Sequence, residues 1–449
     1  MANSTQALGA RPLQGAWAAV AILFLLFCLS YLDRLIVALL AQPISQSLAL
    51  SDTELGLLFG LGFGVVYAIS GLPIAHLIDR THRVRLVVVG VTLWSVCTIL
   101  SGFAAGYWDL LAFRSGVAIG EAVLSPAAIS IIGDLFPREK RTLPTAIYTS
   151  VGTFMTAGAF VAGGAALDLA TMLSANVAME PWRLCLVIVG APGLLLAPIL
   201  LIAIREPKRI GEARTEEGKD GEELASAAQA WAYVKSHGWL YGGLFIGMAT
   251  FGILTYAYVG WITTVLIRAY GATPAHAGYI FGTAGLIGGV LGCIIWPTVA
   301  KYWSKHWRPS AIVLLLGLGT GLAGVSVLVA GLARSEAIVV CAIAAMPFFG
   351  AVSATLPPII IQYVAPGRVR ARLMAANLMA STLIGFTIGP ALGALIAEHV
   401  FTGPFALASA MAVTVVIFAP LSFLFFMIAR ANYQRAFDEA VAREGAAPA

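Results

Sequence analysis

A chain of 449 residues in which 59% are hydrophobic and 11% charged cannot cover itself with a water-compatible surface, so it reads as an all-α integral membrane protein. The same figures exclude a disordered chain, a disulfide-stapled secreted scaffold and a nucleic-acid binder. The net charge of +5 therefore has meaning only by position.

Apolar stretches able to cross about 30 Å of hydrocarbon, which takes roughly 20 helical residues, recur twelve times. They cover 16–41, 54–78, 84–105, 109–133, 144–168, 183–204, 239–267, 275–300, 309–332, 337–364, 372–399 and 404–428. The first has no A-x-A cleavage site and is followed closely by others, so it reads as a retained helix and not a signal peptide. Lysine and arginine alternate sharply along this scheme. With both termini inside, 22 of the 27 basic residues fall on the cytoplasmic side and three outside (Arg183, Arg268, Arg334), leaving Arg34 and Arg114 within spans. The expected organisation is a six-helix bundle over 1–204, a cytoplasmic central loop over 205–237, a second six-helix bundle over 238–430 and a cytoplasmic tail over 431–449. The run REPKRIGEARTEEGKDGEEL, with five basic and seven acidic residues, reads as a solvated linker with an amphipathic helical piece near Leu224–Lys235. The halves echo each other: Pro137-x-x-x-Arg141 and Pro366-x-x-x-Arg370 stand 229 residues apart, as do Gly164 and Gly393. Such a duplication suits a transporter whose substrate lies where two halves meet.

The chemistry concentrates in spans 1 and 4. Span 1 carries Tyr31-Leu-Asp33-Arg34, and span 4 carries Arg114 and Glu121 within FRSGVAIGEAVLSPA. An ionisable group in hydrocarbon costs at least about 2.5 kcal/mol, so such residues face a bundle interior and mark a pathway. Arg114 and Glu121, seven apart, share one helix face about 10 Å apart along the axis. Spans 1 and 4 run oppositely, which puts Asp33 at a depth between the two and predicts that the acids bracket Arg114. A movable Arg114 would then switch Asp33 or Glu121 between holding and releasing a proton; a static ion-pair network is the alternative. Arg34 is the weaker candidate, expected to point elsewhere. Five cysteines, Cys28, Cys97, Cys185, Cys293 and Cys341, lie in apolar stretches without ligand spacing, so no metal is expected.

The junction of spans 2 and 3, Ala75-His-Leu-Ile-Asp79-Arg80-Thr-His-Arg83, resembles the G-x-x-x-D-R-x-x-R signature of the Major Facilitator Superfamily (MFS), with Ala75 replacing the first glycine. The resemblance implies the MFS fold and assigns Asp79, Arg80 and Arg83 to a cytoplasmic gate. YLDR together with RSGVAIGEAVLSP and IIGDLFPREKR further resembles the spinster branch, whose animal members move sphingosine phosphate or lysolipids. By that resemblance Asp33, Arg114 and Glu121 become proton and substrate-headgroup residues. Glycines of span 5 (Gly152, Gly158, Gly163, Gly164) and span 11 (Gly385, Gly389, Gly393) read as close-packing positions, and Pro347, Pro357 and Pro358 as breaks in span 10. The second half carries aromatics in place of mid-depth charge. Tyr31, Ser125, Tyr256, Trp261 and Phe349 are candidate cavity-lining residues, suited to an amphiphile's tail.

The resulting expectation is a monomeric, multi-pass cell-membrane protein, of a bacterial-type inner membrane, that is not an enzyme: no HExxH, GxSxG or P-loop signature occurs. It would be a proton-coupled secondary transporter of an amphipathic, lipid-like or organic anionic substrate, with protons as coupling ion, no cofactor, and the bilayer and substrate as partners. A drug/proton antiporter for cationic amphiphiles and an organic anion/proton symporter are the alternatives.

Overall fold

The structure is a computed structural model, and it describes residues 15–137, 140–204, 206–207, 227–306 and 308–445. Among the described residues every regular element is helical, as hydrocarbon demands of any chain that must satisfy its backbone hydrogen bonds within each segment. Twelve helices are long and apolar enough to cross a membrane: Ala16–Leu39, Asp52–Gly71, Arg83–Ser101, Tyr107–Leu135, Thr142–Ser174, Pro181–Ala203, Gly238–Tyr270, Pro274–His306, Ala311–Leu332, Glu336–Val364, Val369–Val400 and Ala406–Arg443. They are called spans 1 to 12. The predicted number holds, and most ends agree within a few residues. Span 12 runs on beyond its apolar stretch: its helix continues through Gly445, so 431–445 extends it. Most of the central loop lies outside the described residues; its last part forms a helix, Ala227–Ser236.

The chain divides into two compact units. The first comprises 1–51, 62–219 and 274–278, the second 52–61, 220–273 and 279–449. The first turns of span 2 thus group with the second unit. Within that unit Asp52 forms a bidentate pair with Arg268 at 2.6 and 2.8 Å, and the Glu398 carboxylate accepts from the Thr53 N–H at 3.1 Å.

In the first unit, spans 3 and 4 cross backbone to backbone at Gly90 and Gly120. A Cβ on Gly120 would stand 2.6 Å from the Gly90 carbonyl oxygen and 2.8 Å from the Trp94 nitrogen. The crossing leaves Trp94 and Thr98, one and two helical turns beyond Gly90, on the same face toward span 4. Span 4 breaks after Glu121: helix Tyr107–Glu121 ends and Leu124–Leu135 begins. Pro126 causes the break, because it has no N–H for the Ala122 carbonyl. Gly152 of span 5 makes room for Tyr31, whose hydroxyl would lie 2.9 Å from an added Cβ.

In the second unit, span 7 is buried along most of its 33 residues. Span 11 docks on it through its glycines. A Cβ on Gly385 would lie 2.5–2.7 Å from Gly252 backbone atoms, and one on Gly389 would meet the Ile253 carbonyl at 2.5 Å. These glycines of span 11 are close-packing positions, as the sequence suggests. Span 10 breaks at Ala351, and the Phe348 carbonyl accepts from the Trp296 indole at 2.7 Å, which satisfies a group that hydrocarbon would leave stranded.

Gly385→Ala forces two backbones apart and is expected to cost about 1–3 kcal/mol, read as a lowered melting midpoint in detergent. Gly242→Ala, whose Cβ meets nothing within 4 Å, should leave that midpoint unchanged. Equal midpoints for the two variants would contradict the contact between spans 7 and 11.

Candidate functional site

Asp33, Arg114, Glu121 and Arg83 are the buried charged residues of the described chain, and all four lie in the first unit. Three of them, with Arg34, form one cluster made by spans 1 and 4. The Arg114 Nη1 donates to Asp33 Oδ1 at 2.7 Å, and the Arg34 Nη2 and Nε donate to Glu121 Oε2 at 2.7 and 3.2 Å. The expected bracketing of Arg114 by both acids is corrected. Each arginine takes its own acid, and Arg34, expected to point elsewhere, is the partner of Glu121. Asp33 and Arg34 are neighbours in sequence and diverge by about 100° around the helix. Their partners are two turns apart on span 4, so the reach of the two long guanidinium side chains closes the difference in height.

Exposure separates the two pairs. The side chains of Arg114 and Asp33 are 4% and 2% exposed, that of Glu121 0%, and that of Arg34 17%. Arg34 is thus the more exposed of the two paired cations. Three rings surround its guanidinium, with Tyr31, Phe63 and Tyr67 centroids at 5.4, 5.2 and 5.1 Å. Such faces hold a cation by their quadrupoles without competing for its hydrogen-bond donors. Phe63 also lies 5.4 Å from the Arg114 guanidinium, so one ring serves both like charges. Among the described residues the Arg34 Nη1 has no hydrogen-bond partner, and the buried Glu121 Oε1 has none either. On the far side of the cluster the Thr98 hydroxyl of span 3 bonds Asp33 Oδ2. Nothing in the spacing of the sequence singles out Tyr67, Phe63 or Thr98.

The other sequence candidates are dispersed. Asp79 and Arg80 are exposed at the end of helix Phe63–Arg80, which carries span 2 on past Gly71. Arg83 is 2% exposed and fully occupied: it donates to Asp134, to Ser130 at 2.8 Å, to Glu206 at 2.7 Å and to the Pro207 carbonyl at 2.9 Å. It pins the chain leaving span 6 onto the start of span 3, while His82 reaches the same Glu206 at 3.0 Å. Ser125 is half-buried just past the break in span 4, and Tyr256 is half-buried edge-on to Phe386. Phe349 packs near Trp296. Trp261 is 0% exposed and donates its indole N–H to the Pro390 carbonyl at 2.8 Å, a core position between spans 7 and 11. Among the described residues no group of three or more His, Cys, Asp or Glu is placed to hold a metal ion.

Twelve apolar helices and a paired charge cluster inside one unit define a multi-pass membrane protein built to keep ionisable groups in hydrocarbon. Residues 22–383 match the Major Facilitator Superfamily, and the chain belongs to that family. It is similar to an MFS-type efflux pump of Mycolicibacterium smegmatis, 31% identical over 62% of this chain and 61% of the pump. It is also similar to a probable galactarate/D-glucarate transporter of Bacillus subtilis, 26% identical over 74% of this chain and 75% of the relative. A third relative is the sphingosine-1-phosphate transporter SPNS2 of Danio rerio, 29% identical over 60% of this chain and 53% of the relative. The chain thus matches about three fifths of the efflux pump's length and about half of SPNS2. Over its whole length it resembles the crystal structure of a bacterial homologue of the human lysosomal transporter Spinster in an inward-facing, unoccupied conformation. The TM-score is 0.77 at 27% identity, covering 98% of this chain and 100% of that one. The resemblance to the spinster branch read from span 1 and span 4 motifs therefore stands.

Arg83→Ala leaves Asp134 and Glu206 without their buried cation and should cost about 3–5 kcal/mol, read as a large fall in melting midpoint. Glu206→Gln should cost less. Burial raises the Glu206 pKa, but the Val84 N–H and the Arg83 guanidinium outweigh burial and hold it below the usual carboxylate range. An acid depressed in the folded state adds stability above its unfolded pKa and loses it as pH falls through the folded value. The midpoint difference between wild type and Glu206→Gln should accordingly be full at neutral pH and vanish in acid; a difference that grows on acidification would refute the clasp.

Proposed function

We propose that this chain is a proton-coupled secondary transporter of an anionic, amphipathic substrate, working by alternating access. Its Arg34 receives the anionic headgroup, and Asp33 and Glu121 carry the coupling protons. The observation that carries the reading is the accessible, ring-caged Arg34 held by a wholly buried Glu121. A phosphate or carboxylate arriving at Arg34 competes with Glu121 for the same donors. Once displaced, Glu121 is an uncompensated charge in a low-dielectric interior, an arrangement that costs about 3–5 kcal/mol when a buried pair is broken. Taking up one proton removes that cost. The substrate's charge then replaces the carboxylate's charge, so the cluster keeps its net balance and anion and proton travel together.

A cationic substrate would have to reach Glu121, which is sealed behind Arg34, so the efflux-type alternative needs the larger rearrangement. The named substrates of two relatives, sphingosine-1-phosphate and galactarate/D-glucarate, are anions, which supports the same class. The lipid-like character rests on the spinster resemblance. In keeping with the distribution of lysine and arginine, both termini and the central loop are placed on the cytoplasmic side. Asp79 and Arg80, exposed and near that face, are the residues proposed to change partners during gating; Arg83 serves them as a fixed anchor. The transporter is proposed to act as a monomer.

The test is uptake by proteoliposomes of sphingosine-1-phosphate, a lysophospholipid, glucarate and a lipophilic cation, with and without an inside-alkaline pH gradient. The expected result is gradient-stimulated uptake of an anionic amphiphile. Arg34→Ala should reduce that uptake about tenfold or more, in line with the roughly 1.5–3 kcal/mol of a hydrogen bond to a charged group. Asp33→Asn and Glu121→Gln should abolish the stimulation. Preferential transport of the cation, or a gradient response retained by both acid variants, overturns the reading.

A further inference from the structure

The Thr98 hydroxyl has two acceptors and one proton. Its oxygen is bonded to Asp33 Oδ2 and lies 2.9 Å from the carbonyl of Trp94, one turn back on span 3. A hydroxyl carries one donor and two acceptor lone pairs, so it can donate to only one of the two at a time. The side chain is 0% exposed, and the Asp33 side chain is 2% exposed. Water is therefore not the partner that makes up a missing bond.

We propose that Thr98 is a positioning residue that makes Asp33 a reversible proton site, by hydrogen-bonding its carboxyl in both protonation states with no movement of heavy atoms. When Asp33 is ionised, Thr98 donates to Oδ2 and Arg114 to Oδ1. The Trp94 carbonyl then keeps only its helical N–H bond. When a proton binds at Oδ2, the new carboxylic O–H donates to the Thr98 oxygen, and the hydroxyl turns by rotation about its C–O bond to donate to the Trp94 carbonyl. One O–H bond forms on Asp33, none breaks on Thr98, and the proton comes from the aqueous phase and returns to it. Arg114 keeps its bond to Oδ1 throughout.

A buried polar group that loses its partner on changing protonation state costs about 1–3 kcal/mol, and that cost would bias the site toward one state. A hydroxyl able to reverse its donor and acceptor roles removes the bias; a lysine in its place, which only donates, would serve one state only, and an amide would have to flip its heavy atoms to serve both. The charged and titratable groups facing Asp33 are Arg34 on span 1, Cys97 on span 3, and Arg114 and Glu121 on span 4. None of them can reverse its role toward Oδ2 in this way: the arginines only donate, Glu121 is committed to Arg34, and Cys97 is not bonded to the carboxyl. Glu121 itself offers a contrast. Its Oε1 is buried with no partner among the described residues, so it lacks an adaptor of this kind. The placement of Thr98 follows from the Gly90–Gly120 crossing, which brings the 90/94/98 face of span 3 against the charge cluster.

The inference rests on the assignment of Asp33 as a proton site, and the experiment separates the two. Full-length protein in proteoliposomes, without substrate, is titrated with pH while the infrared carboxylic-acid stretch is recorded. Asp33→Asn identifies the Asp33 band by its disappearance. Thr98→Val, which keeps the shape and removes the hydroxyl, is expected to displace the titration midpoint of that band by about one pH unit, a tenfold change in proton affinity. Thr98→Ser should restore the wild-type midpoint. Thr98→Ala is the second variant should valine disturb folding, judged by size-exclusion profile. An Asp33 band that titrates alike in wild type, Thr98→Val and Thr98→Ala overturns the role of Thr98 and leaves Asp33 as the proton site. No band lost in Asp33→Asn at any pH overturns both.

Discussion

Everything particular to this protein depends on two ion pairs buried side by side in one bundle. Four ionisable groups in hydrocarbon are tolerable only if each charge has a partner and the sum is zero, and the pairs Asp33–Arg114 and Arg34–Glu121 meet both conditions. Neutrality is also what makes the cluster responsive. Adding a proton or an anion unbalances it by a full unit of charge, and the low dielectric makes that imbalance expensive until a second event cancels it. The coupling proposed above would therefore need only the cluster's electrostatics, before any movement is invoked. The arginines suit this use better than lysines would. Each remains charged whatever its neighbours do, and the planar fork lets Arg34 hold Glu121 with two nitrogens while a third stays free.

The rest of the first unit serves the placement of these four side chains. The glycine crossing of spans 3 and 4 brings helix backbones close enough for Thr98 to reach Asp33. Pro126 interrupts span 4 immediately after Glu121, so the acid sits at a helix end, where the backbone carbonyl ladder is already open. Gly152 admits Tyr31 to the ring cage around Arg34. The second unit shows the opposite economy. No charge is buried among its described residues, and its cohesion comes from glycine-mediated backbone contact between spans 7 and 11, aromatic packing and the Trp261–Pro390 hydrogen bond. Small residues are what drive helix association where no hydrophobic effect operates between helices.

Most of the fold was legible in the sequence, because a bilayer leaves so few choices. Length and hydropathy place each span, and the alternation of lysine and arginine fixes their count. The positions of the intramembrane charges are equally plain, since Asp33, Arg114 and Glu121 stand out against apolar surroundings. Their pairing was not legible. Helix periodicity puts Arg114 and Glu121 on one face but says nothing of how span 1 is rotated toward it, and a rotation of one residue exchanges Asp33 for Arg34. Thr98 was invisible for a different reason: a threonine inside an apolar helix ordinarily bonds the carbonyl four residues back, and Thr98 makes that bond too. Its second acceptor exists only once three helices are assembled. The helical extension beyond span 12's apolar stretch was not legible because hydropathy falls near Ile428, whereas helical backbone continues wherever side chains still find partners. Tyr433 and Ala436, both buried in the second unit's core, supply them.

The ring cage explains why Arg34, more exposed than its partner, remains in place without a second carboxylate. A guanidinium in a half-buried position must replace its water with something, and a second acid would have occupied its remaining donors. Tyr31, Phe63 and Tyr67 provide favourable contact at 5.1–5.4 Å, each worth about 0.5–2 kcal/mol depending on desolvation, yet leave the edge of the guanidinium free to donate. Two of the three rings, Phe63 and Tyr67, belong to span 2, just past the point where that helix passes from one compact unit to the other. The surroundings of Arg34 thereby depend on the position of span 2, which, like span 8, has its two ends in different units. Arg34 is thus held by two rings of span 2, one ring of its own span 1 and a single carboxylate of span 4, so no one helix fixes it.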